Sequence, residues 1–274
     1  MSKGRNRRGN AAWSLSPAAV AVVLFAAFLA LALLAHPGSA LSAMDARVTN
    51  AFVAARTALL TRVFWNFTLL GETQLMAAYS TAAVLLLLAW GRRHAAAVLA
   101  TGLLAAQGTS SLAKSVIGRD RPSSVLAVIS RPSSHSMPSG HALMTIVTAG
   151  LLVYLLREEI GLTPSLRAAG RWPERRAAGL AVLVVAAAVV VMVGLSRVYL
   201  GVHWLSDVLA GWCLGGAWLA LVVFADQRWM GRVSWLADTR PIMSAGRRKI
   251  LVAVVVVVVL AAGVVAARSV ALHF

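Results

Sequence analysis

A chain of 274 residues that is 59% hydrophobic and 13% charged carries about half the charged fraction of an ordinary soluble domain, where charged residues make up about a quarter. One cysteine, no glycine period and long apolar blocks exclude a disulfide scaffold, a collagen-like chain and a disordered one. The net charge of +17 does not indicate nucleic acid, because the basic residues fall in short segments between apolar blocks rather than in one patch.

Crossing a bilayer core takes about 20 mostly apolar residues, and seven segments predict such spans: 17–35, 73–90, 95–113, 140–156, 177–196, 204–225 and 250–267. The first follows Lys3, Arg5, Arg7 and Arg8 and precedes HPGSA, a pattern that resembles a secretory signal with its cleavage site. Its apolar run exceeds the roughly 7 to 15 residues of such signals, so it reads as an uncleaved span. In the next connection, Val48, Phe52, Ala55 and Leu59 keep a helical spacing apart from Arg47, Arg56 and Arg62. Residues 41–63 are therefore expected as an amphipathic helix on the membrane surface. The fourth span reaches sufficient length only if His141 and its neighbours form its first turn. The valine run 254–259 would favour a strand in water, but in lipid the backbone must satisfy its own hydrogen bonds, which makes it helical. The expected fold is all-α, a polytopic membrane helical bundle forming one domain over 1–274. An N-terminal span and external loop occupy 17–72, and an extra C-terminal span occupies 250–267.

The Lys and Arg content of alternate connections sets the orientation. With the N-terminus inside, the cytoplasmic segments 1–16, 91–94, 157–176 and 226–249 hold 17 of these residues and the external ones hold nine. That excess predicts a cytoplasmic N-terminus. Trp13, Trp65, Trp90, Trp172, Trp204 and Trp229 fall near span ends, as in an interfacial aromatic belt.

Polar groups beside membrane spans are functional candidates unless they pair or face water. Three external connections concentrate them. The first, KSVIGRDRP, holds Lys114, Arg119, Asp120, Arg121 and Pro122; the second, PSGH, holds Pro138, Ser139, Gly140 and His141; the third, SRVYLGVHWLSD, holds Ser196, Arg197, His203 and Asp207. Alone, each cation reads equally well as an interfacial anchor, and Ser139 with Gly140 as a turn and helix cap. His203 and Asp207 are more specific, because a spacing of four puts both on one helix face. A carboxylate there would fix the imidazole tautomer and leave the other ring nitrogen with a free lone pair. No run of carboxylates or cysteines has the spacing of a metal site.

Together the three pieces resemble the signature of the type 2 phosphatidic acid phosphatase superfamily, the integral-membrane lipid phosphate phosphatases. Lys114, Arg121, Pro122, Pro138, Ser139, Gly140, His141, Ser196, Arg197, His203 and Asp207 match its fixed positions in order, and the resemblance extends over about 73–225, including WNFTLLGE before the second span. It implies a six-helix core, to which the seventh span is an addition. It also implies hydrolysis without metal or other cofactor: His203, oriented by Asp207, forms a phosphohistidine, His141 protonates the leaving oxygen, and Lys114, Arg121, Ser139, Gly140 and Arg197 bind the phosphate. Among 26 basic residues only Lys3, Lys114 and Lys249 are lysines, so a compact point charge is wanted at 114. Arg119, Asp120, Arg131 and His135 lie outside the signature and are expected as surface or supporting residues. The implied partners are the bilayer and a lipid phosphate at the outer face of a bacterial cytoplasmic membrane. Undecaprenyl diphosphate is the first choice, with phosphatidic acid, phosphatidylglycerol phosphate and a decaprenyl phosphosugar as alternatives. An anion transporter would instead spread its charges through the depth of the spans, and a silent lipid-binding relative would lack one of the two histidines.

Overall fold

The computed structural model describes residues 16–157, 160, 162 and 172–229. Among these the structure is helical, with α1 Pro17–Leu34, α2 Ala40–Ala54, α3 Ala58–Leu70, α4 Thr73–Ala89, α5 Arg93–Ile117, α6 Gly140–Leu155, α7 Trp172–Tyr199 and α8 Leu205–Arg228. Local chemistry sets several of the ends. Ser16, Ser39 and Thr57 cap α1, α2 and α3 by accepting from the N–H groups of Ala19, Ser42 and Leu60, and Pro17 supplies a pre-set first turn. Gly118 ends α5 in the left-handed region at φ 64°, where glycine carries no Cβ penalty.

Six of the seven predicted spans correspond to α1, α4, α5, α6, α7 and α8; the seventh, 250–267, lies outside the described residues. By length and hydropathy α1, α5, α7 and α8 can each cross a membrane. The helix α6 has 16 residues, about 24 Å at 1.5 Å per residue. The connection 36–72 differs from expectation. It forms two helices, and α3 meets α4 at a 47° bend, the pair together passing as one broken span. The apolar face of α2 is covered by protein: it packs against α7 and α8, with Val48 and Phe52 against Ala142, Val198 and Val208. An apolar stripe says that a face is buried without saying whether lipid or protein buries it. Arg56, expected on the polar face, instead donates from Nη2 to the carbonyls of Leu126 and Tyr199, each at 2.7 Å. Leu59 is left 70% exposed.

The helix α8 packs along α1 and α6. A Cβ at Gly211 would stand 2.7 Å from the Ser139 carbonyl oxygen and 3.0 Å from Ala142 Cβ, and one at Gly215 would stand 2.8 Å from the Leu143 carbonyl oxygen. Two glycines four apart thus let α8 touch the backbone of α6. Gly211→Ala should lower the melting midpoint and the activity of the detergent-purified protein, although alanine exceeds glycine in helix propensity by about 1 kcal/mol. Gly108→Ala, where an added Cβ meets nothing within 4 Å, should keep or raise the midpoint. Equal responses of the two variants would contradict the close approach.

The ends of the bundle are polar. At one, His94 of α5 lies 2.5 Å from Asp226 of α8, which also accepts from the Tyr154 hydroxyl of α6 at 2.7 Å. Lys114, at the far end of α5, is about 30 Å away along the helix, the thickness of a hydrocarbon core. Between them α1 and α7 present Val22, Leu33, Val184 and Val185 outward, which suits lipid contact.

Candidate active site

All eight predicted site residues collect at the end of the bundle that holds Lys114. Lys114 and Arg197 lie in the last turns of α5 and α7, Ser139 and Gly140 start α6 with His141 following, and Asp207 lies in the first turn of α8. His203 sits in the short α7–α8 connection. There the N–H groups of Val202 and His203 both donate to the Arg197 carbonyl, and Gly201 turns the chain at φ 74°. That carbonyl fixes the spacing between Arg197 and His203. A second tie joins α6 to α8, from the Ser139 N–H to the Asp207 carbonyl at 2.9 Å.

His203 is 2% exposed. Its Nδ1 lies 3.3 Å from Asp207 Oδ2 and its Nε2 lies 3.0 Å from Arg121 Nη1. A guanidinium only donates, so Nε2 must accept and the proton belongs on Nδ1, an assignment made from the hydrogen-bond network. Burial first, and then the cations Arg121, Arg197 and Lys114, hold the His203 pKa well below its ordinary value, which keeps the ring neutral with its lone pair at Nε2. Arg121 is itself held by Ser134 and Val202 carbonyls at 2.7 and 2.8 Å. Lys114 Nζ donates to the His135 carbonyl at 2.8 Å, and Arg197 Nη1 to Thr68 Oγ1 at 2.6 Å.

Three buried polar atoms of signature residues have no hydrogen-bond partner: Ser139 Oγ, His141 Nε2 and Arg197 Nε. Orphaned polar groups are rare in protein interiors and call for a ligand or a chemical role. Glu72 Oε2 lies 3.5 Å from His141 Nε2, too far for a well-made hydrogen bond. A cavity of about 1410 Å³ has Lys114, Arg121, Gly140, His141, Arg197 and His203 at one end, and continues between α4 and α5 past Met76, Ser80, Val84 and Leu103. Ser139 and Asp207 do not line it; both are fully buried behind the residues that do. The arrangement places a neutral imidazole among three cations, with an apolar slot beneath.

Several contributing residues were not assigned from the sequence. Arg119, expected as a surface or supporting residue, is a supporting one: it donates from Nη1 to Asp207 Oδ1 at 2.7 Å and from Nη2 to Asp45 Oδ2 at 2.8 Å. Ser136 Oγ donates to Asp207 Oδ2. His135 and Asp120 contribute backbone carbonyls, to Lys114 and to the Trp204 indole N–H. Arg131 donates to the Pro122 carbonyl and lines the cavity. Asp45 did carry a signal: it occupies the same helical stripe as Val48 and Phe52, where a carboxylate must find a buried partner.

The chain is 30% identical over 211 residues to phosphatidylglycerophosphatase B of Bacillus subtilis, covering 76% of this chain and 95% of that protein. It is 35% identical over 92 residues to an undecaprenyl-diphosphatase of Sulfolobus acidocaldarius, covering 34% of each. A crystal structure of a transmembrane PAP2 type phosphatidylglycerolphosphate phosphatase from Bacillus subtilis matches with a TM-score of 0.61 and 27% identity, covering 76% of this chain and 96% of that one. The PAP2 superfamily model matches residues 95–231, half of the chain and the stretch that contains every signature residue. By sequence, by fold and by the grouping of those residues around one cavity, this multi-pass membrane protein belongs to the PAP2 superfamily.

Proposed function

We propose that the protein is a lipid phosphate phosphatase that works through a phosphohistidine on His203, without a metal, at the outer face of the membrane. The observation that carries this reading is the set of orphaned atoms on Ser139, His141 and Arg197 beside a histidine whose free lone pair faces a guanidinium. A phosphoryl group entering the cavity would come between His203 Nε2 and Arg121, whose N–H groups then serve the phosphate oxygens. Lys114, Arg121 and Arg197 balance charge that a metal would otherwise neutralise. Nε2 bonds to phosphorus as the bond to the leaving oxygen breaks, and His141 gives that oxygen a proton. His141 then takes a proton from water, which attacks phosphorus and frees phosphate and neutral His203.

The apolar slot between α4 and α5 suits the hydrocarbon of a membrane lipid. Undecaprenyl diphosphate, first choice from the sequence, and phosphatidylglycerol phosphate both fit this chemistry. The match over 95% of a phosphatidylglycerophosphatase, against 34% of an undecaprenyl-diphosphatase, favours the second. The outward orientation rests on the excess of basic residues in the alternate connections.

A panel of purified lipid phosphates and diphosphates, assayed in EDTA with His203→Ala as control, tests the reading. Phosphate release should survive chelation and be inhibited by vanadate. In sealed right-side-out vesicles the phosphate should appear outside before permeabilisation. Loss of activity in EDTA, restored by Mg²⁺, would overturn the mechanism.

A further inference from the structure

Asp45 stands outside the stretch matched by the PAP2 superfamily, on a segment expected as an amphipathic surface helix, yet its side chain is completely buried. Its Oδ1 accepts from the Ser206 N–H at 2.9 Å, and its Oδ2 accepts from Arg119 Nη2 at 2.8 Å and from the Ser206 hydroxyl. Ser206 is the second residue of α8, and the first N–H groups of a helix have no partner within it. Asp45 therefore caps α8 from another helix, three residues beyond His203. Arg119 Nη1 donates to Asp207 Oδ1 at 2.7 Å and to Ser206 Oγ at 2.6 Å. One guanidinium thus bridges two buried carboxylates.

The charges in this group do not balance. Asp45 and Asp207 bring two negative charges and Arg119 brings one positive charge, while Ser136, Ser206 and the Trp204 N–H are neutral donors. Surplus charge in an interior is unfavourable unless a partner meets it. Arg121 and Lys114 act on Asp207 from beyond His203, and a nearer partner arises during the reaction. When His203 Nε2 bonds to phosphorus and Nδ1 keeps its proton, the imidazole becomes a cation 3.3 Å from Asp207 Oδ2. Within the hydrogen-bonded group the count is then two negative and two positive charges, against one surplus negative charge before it, while Lys114, Arg121 and Arg197 line the cavity that takes the phosphate. Fixed charges aimed at charge that develops in a transition state accelerate a reaction without reorganisation.

We propose that Asp45 is a positioning residue of the catalytic centre, acting through Arg119 and the first turn of α8 to hold Asp207 and to supply the second negative charge that stabilises phosphorylated His203. The proposal rests on His203 being the nucleophile.

Asp45→Asn keeps the shape and removes the charge. It should lower kcat about ten- to a hundred-fold, leave KM and inhibition by inorganic phosphate unchanged, and weaken vanadate inhibition by the same factor as kcat. Arg119→Gln added to Asp45→Asn restores the wild-type charge total, and the double variant should regain at least about ten-fold over Asp45→Asn alone. A merely structural role predicts the opposite, because the double variant removes more hydrogen bonds than either single one. Wild-type kcat in Asp45→Asn, or a double variant no faster than Asp45→Asn, would overturn the proposal. If Asp45→Asn does not accumulate as a monodisperse protein, Asp45→Glu and Arg119→Lys carry the test, since each keeps the charge total. Both should retain more than a hundredth of wild-type kcat, and a larger loss in both would overturn it. A His203→Ala variant that still releases phosphate would instead overturn the underlying reading, so the two failures are distinguishable.

Discussion

His203→Ala should abolish phosphate release from every substrate, whatever its leaving group, while His141→Ala should fail selectively. On the proposed mechanism the first removes the lone pair that attacks phosphorus, so neither turnover nor phosphoryl labelling of the protein remains. The second removes the proton donor, whose contribution is typically about 10²- to 10⁴-fold and grows as the departing oxygen becomes a poorer leaving group. A lipid alcohol is poor, whereas p-nitrophenol departs as a stable anion. His141→Ala should therefore lose its full factor on a phospholipid and much less on p-nitrophenyl phosphate, provided the smaller substrate is turned over by the wild type. The geometry supports the division. His203 Nε2 already faces the Arg121 guanidinium, whereas His141 Nε2 is buried without a hydrogen-bond partner and lines the same cavity. Acid-quench labelling and the ratio of rates on the two substrates measure both effects. Near-normal release by His203→Ala, with a dead His141→Ala, would reverse the assignments.

The signature residues were legible because their chemistry is written in short spacings. His203 and Asp207 are four residues apart, His203 in the connection just before α8 rather than on the helix and Asp207 in its first turn, and Lys114 and Arg121 flank the end of one helix. The spans were legible because hydropathy over about 20 residues is a strong signal in a bilayer. The helix α3 was not, since Thr61, Arg62, Asn66 and Thr68 dilute its hydropathy and the chain bends immediately after it. The bend reflects tertiary contact: a Cβ at Gly71 would lie 2.8 Å from His141 Cδ2 and from Val193 Cγ1, on two distant helices. Whether Arg119 is a surface or a supporting residue was left open for the same reason. Its partners Asp45 and Asp207 are remote in sequence, and only the packing of α2 against α8 brings them to one guanidinium. Charge pairs between distant segments leave no periodicity behind. The useful trace was a single carboxylate on an apolar stripe.

Asp207→Asn carries the other large expected effect, and it follows from counting donors. Every partner of the Asp207 carboxylate is a donor: Arg119 Nη1 at Oδ1, and the Ser136 hydroxyl, the Trp204 N–H at 2.9 Å and His203 Nδ1 at Oδ2. A carboxylate can accept from all of them, whereas an amide brings one acceptor and two donors of its own. With its NH₂ toward Arg119, the amide opposes a guanidinium and releases it from the network. With its NH₂ toward His203, it demands an acceptor at Nδ1, which moves the ring proton to Nε2 and removes the lone pair that must reach phosphorus. Neither orientation restores the wild-type state, and the second is inactive. A carboxylate-to-amide change beside a catalytic histidine lowers kcat on the order of 10⁴-fold through this wrong tautomer, and a loss of that size is expected here with KM little changed. Ser136→Ala is the contrast, because it deletes one donor to Oδ2 and leaves the tautomer intact; its loss should be about ten-fold or less. An Asp207→Asn variant within ten-fold of wild-type kcat would mean that His203 does not depend on this carboxylate for its proton, and the relay drawn through Asp207, Arg119 and Asp45 would lose its starting point.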